Sequence, residues 1–423
     1  MTRLQRIVRI SAAAVLACAA GAHAFAAAQQ VSVRTVKTIL EEVRAQFAPD
    51  ARTAVWELDA AVDGASARVV GKTDSQEALR ALEEAFKSRG VSVKLQVKLL
   101  PQDVARAAEA PWALVNVPAA SMTGKPAFAA PVTTQAVLGT PLRVLDFQSP
   151  FWRVQTPDGY VGWVHAMQIV RLTEAQLSNW NASPRAVVTA RQAFVRDAAG
   201  ETVSPLGAGS LVQWLSQEGT EVFVRLPDGR RGWLHRSEIE DAVRYQTQWE
   251  ARRHAGGDVF SNAFLQRAKE FLGTSYQWGG ASSSGMDCSG FVSYAWRLAG
   301  VVVARDADQQ IAQSKPVKFD AVEGIPAGLL LGFGKRDVKG RVRVEHIGIS
   351  LGGGDFIHSL GSVRIESLSE RSVRYSAYER GRFLGSYALE PSLRDVPCAS
   401  AVSDNGFFGS PPAPIKPCRL RLP

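Results

Sequence analysis

Three side chains in the C-terminal third of the chain have the types and order needed for nucleophilic chemistry. Cys288 stands where a glycine- and serine-rich stretch, GGASSSGMD (279–287), gives way to the apolar, helix-periodic run CSGFVSYAWRLAG (288–300). A thiol at a helix N-terminus meets the positive end of the helix dipole, which favours the thiolate, the nucleophilic form. His346 and His358 follow in two segments that alternate like strands, separated by the turn residues Gly352 to Asp355. A hairpin with that spacing can set both imidazoles on one face. One can take the thiol proton and the other can hold the first in the right tautomer. The sequence therefore predicts Cys288 as nucleophile, His346 as general base and His358 as orienting group, with the thiol pKa lowered by the helix dipole and an imidazolium. Two readings compete. Cys288 can be a buried helix cysteine with the histidines satisfied in their strands, or one Cys and two His can hold zinc. The zinc reading lacks CxxC or HxxxH spacing and a fourth ligand, so no metal and no cofactor are expected.

The remaining histidines precede Cys288 in the chain. His23 lies near the N-terminus and His254 in a connecting segment. His165 and His235 occupy equivalent positions of an internal repeat, VQTPDGYVGWVH (154–165) and VRLPDGRRGWLH (224–235), offset by 70 residues. An enzyme needs one active site, so duplicated histidines read as structural. In each copy a Pro-Asp-Gly turn joins short alternating strands, which is hairpin chemistry, and Trp163 and Trp233 are expected inside small barrels. The copies are similar to bacterial SH3-like domains and are assigned to 111–175 and 183–241. Residues 29–110 read as a small α/β module: a helix around 35–47, two strands joined at Asp63-Gly64, a helix capped by Ser75, and a third strand. That order resembles the BON-type modules of envelope proteins and suggests a scaffold or an envelope docking partner.

The catalytic residues need an α+β domain at 255–392, with helices preceding an antiparallel sheet. Here the resemblance becomes specific. YQWGG, MDCSGFV, RDADQQ and EHIGISLGGGDFIHSLG together resemble the NlpC-type cysteine peptidases, papain-like hydrolases of the bacterial cell wall. With the preceding SH3-like pair, the chain is similar to γ-D-glutamyl-L-diamino acid endopeptidases. The fold class this implies is multidomain: a small α/β N-terminal module, two all-β SH3-like barrels and a C-terminal α+β papain-like NlpC-type domain. The resemblance implies that Tyr276 helps stabilise the oxyanion, that Asp287 binds the free amine of an N-terminal L-alanine, and that Ser289 contacts substrate. Asp287 has an equally good local reading as a helix N-cap. Arg305, Asp306 and Gln310 belong to a motif beside the cleft and read as mainly structural. The partners implied are peptidoglycan stem peptides or murein fragments. Alternatives are a wall-binding protein with little hydrolysis, or an amidase or acyltransferase on the same fold. The segment IPAGLLLGFGKRD departs from the family's usual Pro-Gly-Asp-Leu turn, without loss of a catalytic residue.

Composition agrees with an exported protein. Of 423 residues, 46% are hydrophobic, enough for several packed cores. Arg3, Arg6 and Arg9 precede an apolar run and small residues, a secretion signal over 1–28, with a lipid anchor on Cys18 as the alternative. The expected location is the periplasm or the medium. The net charge of +9 is unclustered and gives no nucleic-acid footprint. Four cysteines include Cys398 and Cys418 in a Pro-rich tail (393–423), which export would allow to pair. That leaves Cys288 as the odd thiol.

Overall fold

The computed structural model describes residues 31–64, 66–393, 396–415 and 420. The expected signal with Cys18, and Cys418, lie outside the described residues. The N-terminal module begins with the helix Val33–Phe47, capped by Ser32, whose hydroxyl accepts from Thr35 N–H. The helix Gln76–Ser88 is capped in the same way by Ser75. Both bury one apolar stripe, Val36, Ile39, Leu40 and Val43 in the first and Ala78, Leu82 and Phe86 in the second. They pack against three strands in the order 56–63, 66–73, 92–99. The first pair is antiparallel and the second parallel, since the second helix forms the crossover.

Two seven-stranded sheets follow, spanning 112–172 and 185–241. In each, the Pro-Asp-Gly turn closes a hairpin, 151–155 with 161–165 and 221–225 with 231–235. The expectation that Trp163 and Trp233 fill the barrel cores is corrected. A strand alternates its faces, and it is Val164 and Leu234 that point inward. Trp163 is half-buried with the Arg153 guanidinium 5.6 Å from its ring centre. Trp233 is likewise half-buried, its ring 4.7 Å from that of Phe223. His165 and His235 are structural: the imidazole of each caps a short 3-10 turn, accepting from Met167 N–H and Ser237 N–H.

The C-terminal domain is α+β. Six strands pair antiparallel in the order 315–317, 383–388, 330–336, 342–352, 355–360, 362–367. The helix Cys288–Leu298 lies on this sheet, burying Phe291, Val292, Ala295, Trp296 and Leu298 with Ile347, Ile349 and Ile357. The same core continues into both barrels through Trp112, Val137, Val187 and Leu211. The first barrel also grips the loop ahead of the nucleophile, for Gln135 accepts from Ala281 N–H and the Ser282 hydroxyl at 3.1 and 3.0 Å.

The tail after residue 392 is not the loose segment its prolines suggest. Ser400–Ala401 pairs with Val301–Val302, and Phe407 is fully buried, edge-on to Trp112 at 5.2 Å. The Asn181 amide donates to the Phe407 and Gly409 carbonyls at 3.0 and 2.8 Å. Cys398 is disulfide-bonded and Cys288 is a free thiol. Phe407→Ala should lower unfolding free energy by about 3–5 kcal/mol. Denaturant titration checks this, and a loss below about 1 kcal/mol would show that the tail does not share the core.

Candidate active site

The helix that begins at Cys288 starts where the sequence places it. Cys288 is the first helical residue, and the Asp287 carboxylate accepts from Gly290 N–H at 2.6 Å. Gly290 is required sterically: a Cβ there would collide with the Gly280 carbonyl oxygen. Cys288 is partly exposed, and the backbone N–H groups of Ser289 and Ile347 lie near enough to its sulfur to favour the thiolate. The second of these belongs to the residue after His346, so the nucleophile abuts the histidine strand.

The histidines meet through strand register. Gly348 pairs with His358 across the hairpin, so His346, two residues away on the same face, is the diagonal neighbour of His358. A Cβ on Gly348 would press on the His358 Cβ and the Phe356 ring, both at 3.1 Å. The imidazoles stand at 76° with His346 Nε2 and His358 Nδ1 2.7 Å apart, a hydrogen bond. Nε2 being engaged, Nδ1 is the ring nitrogen of His346 left for the thiol. Phe333 and Phe356 wall the pair, with ring centres 5.6 Å from His346 and 4.7 Å from His358.

This closed setting corrects the expectation of a lowered thiol pKa. Burial pushes the Cys288 thiol up to about 12, and the Asp287 carboxylate adds to that. Burial likewise brings His346 down to about 3 and His358 to about 2, helped by the nearby Arg382 and Arg364 for the first and by His346 and Arg364 for the second. Each group alone favours its neutral form. The proton transfer that activates the sulfur creates both charges together, side by side.

Asp287 and Arg305 form a buried ion pair with Nη2–Oδ2 at 2.7 Å and Nη1–Oδ1 at 3.0 Å. Asp287 also accepts from Gly279 N–H at 2.9 Å and from the Ser289 hydroxyl at 3.3 Å. Both carboxylate oxygens are thus occupied from inside the protein, which favours the cap reading over amine binding. Ser289 is buried and its hydroxyl accepts from Arg305 Nη1 at 2.9 Å, so it too faces inward. Arg305 reaches the first barrel, donating to the Thr134 hydroxyl at 3.0 Å. Gln310, fully buried, donates to the Ser289 carbonyl at 3.0 Å. Tyr276 is half-buried, and burial followed by the charges of Cys288 and Asp287 pushes its hydroxyl up to about 12, which places it beside the nucleophile.

Sequence reasoning missed one cluster. Asp306 accepts from Arg52 of the N-terminal module at 2.9 Å and from the Tyr160 hydroxyl of the first barrel at 3.4 Å. Arg52 also binds Asp308 and Asp50, at 2.9 and 2.8 Å. Three carboxylates meet Arg52, and Arg305, 3.9 Å from the other Asp306 oxygen, is already paired with Asp287, so this three-way junction keeps a net negative charge. The signal available in the sequence was only the acidic pair Asp306 and Asp308 beside Arg305.

Residues 273–382 match the model of the NlpC/P60 family, and residues 123–169 match the bacterial dipeptidyl-peptidase Sh3 domain. The chain carries an NlpC/P60 domain. It is 27% identical over 266 residues, 60% of this chain and 73% of the relative, to a gamma-D-glutamyl-L-lysine dipeptidyl-peptidase of Bacillus cereus. It is 26% identical to dipeptidyl-peptidase 6 of Lysinibacillus sphaericus, over 62% of this chain and 94% of that protein. In fold it is similar to the crystal structure of an NlpC/P60 family protein from Bacillus cereus, with TM-score 0.54 and 20% identity over 66% of this chain and 100% of the other.

Because burial keeps His346 neutral far below the ordinary histidine range, the base stays competent as pH falls. The acid limb of kcat/KM is expected below about pH 5 rather than near about 6.5. A pH–rate profile on a soluble peptide, with circular dichroism at each pH, checks this, and a limb near 6.5 would contradict it. The same depression removes stability as pH falls from about 6.5 towards 3, since the unfolded chain takes up protons that the folded site refuses.

Proposed function

We propose that the chain is a cysteine peptidase that hydrolyses peptidoglycan stem peptides at the bond between γ-D-glutamate and the diamino acid, meso-diaminopimelate. The observation that carries this reading is the 2.7 Å His346–His358 hydrogen bond, set against a partly exposed thiol at a helix start. The names of the dipeptidyl-peptidase relatives support the substrate class. His346 Nδ1 takes the Cys288 proton as the sulfur attacks the γ-carbonyl carbon. The oxyanion is met by N–H groups at the helix start and by the Tyr276 hydroxyl. His346 then gives its proton to the leaving amine, and the C–N bond breaks to leave a thioester. A water, deprotonated by His346, attacks the thioester carbonyl, the C–S bond breaks to free the γ-carboxylate, and His346 returns its proton to the sulfur.

The substrate is proposed to carry a free N-terminal L-alanine. Asp287 is saturated, so the amine needs another carboxylate. Asp306 supports that role: its Oδ2 is met by Arg52 and Tyr160, but its Oδ1 stands 3.9 Å from Arg305 Nη1, beyond hydrogen-bond distance, and its side chain is 26% exposed. The arginine-led apolar N-terminus supports action in the periplasm or medium.

L-Ala-γ-D-Glu-meso-diaminopimelate and its N-acetylated form, incubated with the protein and followed by mass, test both statements. Release of diaminopimelate is expected, at least about 10-fold faster from the free peptide. Cys288→Ala should abolish it, and Asp306→Asn should erase the free-over-blocked preference. No cleavage of either peptide would remove the peptidase reading and leave wall binding. Equal cleavage of both would remove amine recognition.

A further inference from the structure

The histidine pair is not the end of its polar row. His358 is fully buried, and its Nε2 has no hydrogen-bond partner. Glu366 Oε2, also buried and unpartnered, lies 3.5 Å from that nitrogen. The other Glu366 oxygen is held by Arg364 Nη2 at 2.5 Å. Leaving both a buried N–H and a buried carboxylate oxygen unpaired is costly, and a movement of a few tenths of an ångström would join them. Register explains the placement. His358 pairs with Arg364, so Glu366, two residues on and on the same face, is its diagonal neighbour. The same diagonal step relates His346 to His358 one strand earlier. Three adjacent strands thus carry His346, His358 and Glu366 in one slanting row.

We infer that Glu366 is a positioning residue for the catalytic pair, accepting the Nε2–H of His358 and thereby selecting the tautomer of both imidazoles. The consequence follows donor by donor. With Nε2 protonated, His358 Nδ1 is an acceptor and takes the Nε2–H of His346. His346 Nδ1 is then unprotonated and faces the thiol as a base. In the opposite arrangement His358 Nδ1–H donates to His346 Nε2, His346 carries its proton on Nδ1, and it cannot accept one from sulfur. Glu366 is the carboxylate placed to decide between the two. It also opposes the positive charge that appears on the pair when the thiol ionises.

Other charged groups facing the pair do not replace it. Glu379 Oε1 is likewise buried and unpartnered, but it lies 3.9 Å from His346 Nε2, the nitrogen already bonded to His358, and so competes for no free N–H. Burial holds the Glu379 carboxyl up at about 7, and Arg382 reaches its second oxygen at 3.5 Å. His346, His358 and Glu379 could also be considered as metal ligands, their donor atoms lying within 4.8 Å of one another. The 2.7 Å separation of the two nitrogens favours a shared proton, since two nitrogens on one tetrahedral ion with bonds of about 2.0 Å stand about 3.3 Å apart.

This inference rests on the peptidase reading, and its test separates the two. Wild-type, Glu366→Gln and Glu366→Leu proteins are compared by steady-state kinetics on the free tripeptide and by 15N-histidine NMR of the resting enzyme. The wild-type spectrum is expected to show His346 protonated on Nε2. Glu366→Leu should lower kcat about 10- to 100-fold with KM within about 2-fold, and should mix the His346 tautomers. Glu366→Gln keeps an oxygen acceptor of the same shape, so it should retain the tautomer and recover part of the rate. A wild-type His346 protonated on Nδ1, or folded variants with unchanged kcat and unchanged spectra, would overturn the inference. If Glu366→Leu does not fold, the wild-type spectrum and the Gln variant still decide it. An inactive wild-type would count against the peptidase reading, while the NMR would still report on the relay.

Discussion

The Asp287–Arg305 ion pair is the contact on which the site's geometry depends. Arg305 is 2% exposed and Asp287 8%, so neither charge has water to fall back on. Removing one partner of such a pair costs about 3–5 kcal/mol, because the other is left buried and uncompensated. Through its two oxygens Asp287 fixes Gly290 at the first helical turn and Gly279 in the preceding loop. The two Arg305 Nη atoms that bind Asp287 also hold the Ser289 hydroxyl and the Gly280 carbonyl, and Arg305 Nε holds Thr134 of the first barrel. Cys288 sits between these anchors, so the first barrel, through Thr134 and Arg305, helps to place it.

The second constraint is the pleat of the antiparallel sheet. Diagonal neighbours on one face bring long side chains into reach, and the chain uses that step to seat His346 against His358. The helix start supplies N–H groups around the sulfur, yet burial outweighs them and the resting groups favour neutrality. A site of this kind stores no free charge. Its order goes into direction: Nε2 of His346 is tied back to His358, and Nδ1 is left free of that bond.

Much of this was legible in the sequence, for reasons that are local. Asp before a helical run specifies a cap, and Asp287 forms one. Two histidines twelve residues apart across a glycine turn specify one face of a hairpin, and they meet. The duplicated Pro-Asp-Gly segments form two hairpins and account for His165 and His235. What escaped was non-local or environmental. Arg52 reaches Asp306 from 254 residues away, and no spacing rule encodes that contact. The period of two says that Trp163 and Val164 face opposite ways but not which way is in. Phe407 lies among prolines that mask its burial. The thiol's raised pKa comes from burial and from the Asp287 carboxylate beside it, a property of packing and not of motif.

Asp287 thus serves the architecture of the nucleophile through Arg305. A double-mutant cycle on Asp287→Asn and Arg305→Met measures that role, with unfolding free energy as the readout; asparagine preserves the helix cap. Each single change is predicted to cost about 3–5 kcal/mol, and the double change no more than either alone, because the second removes the charge that the first left unpaired. Costs that add within about 0.5 kcal/mol would show that the two residues act independently and that the ion pair does not hold the nucleophile in place.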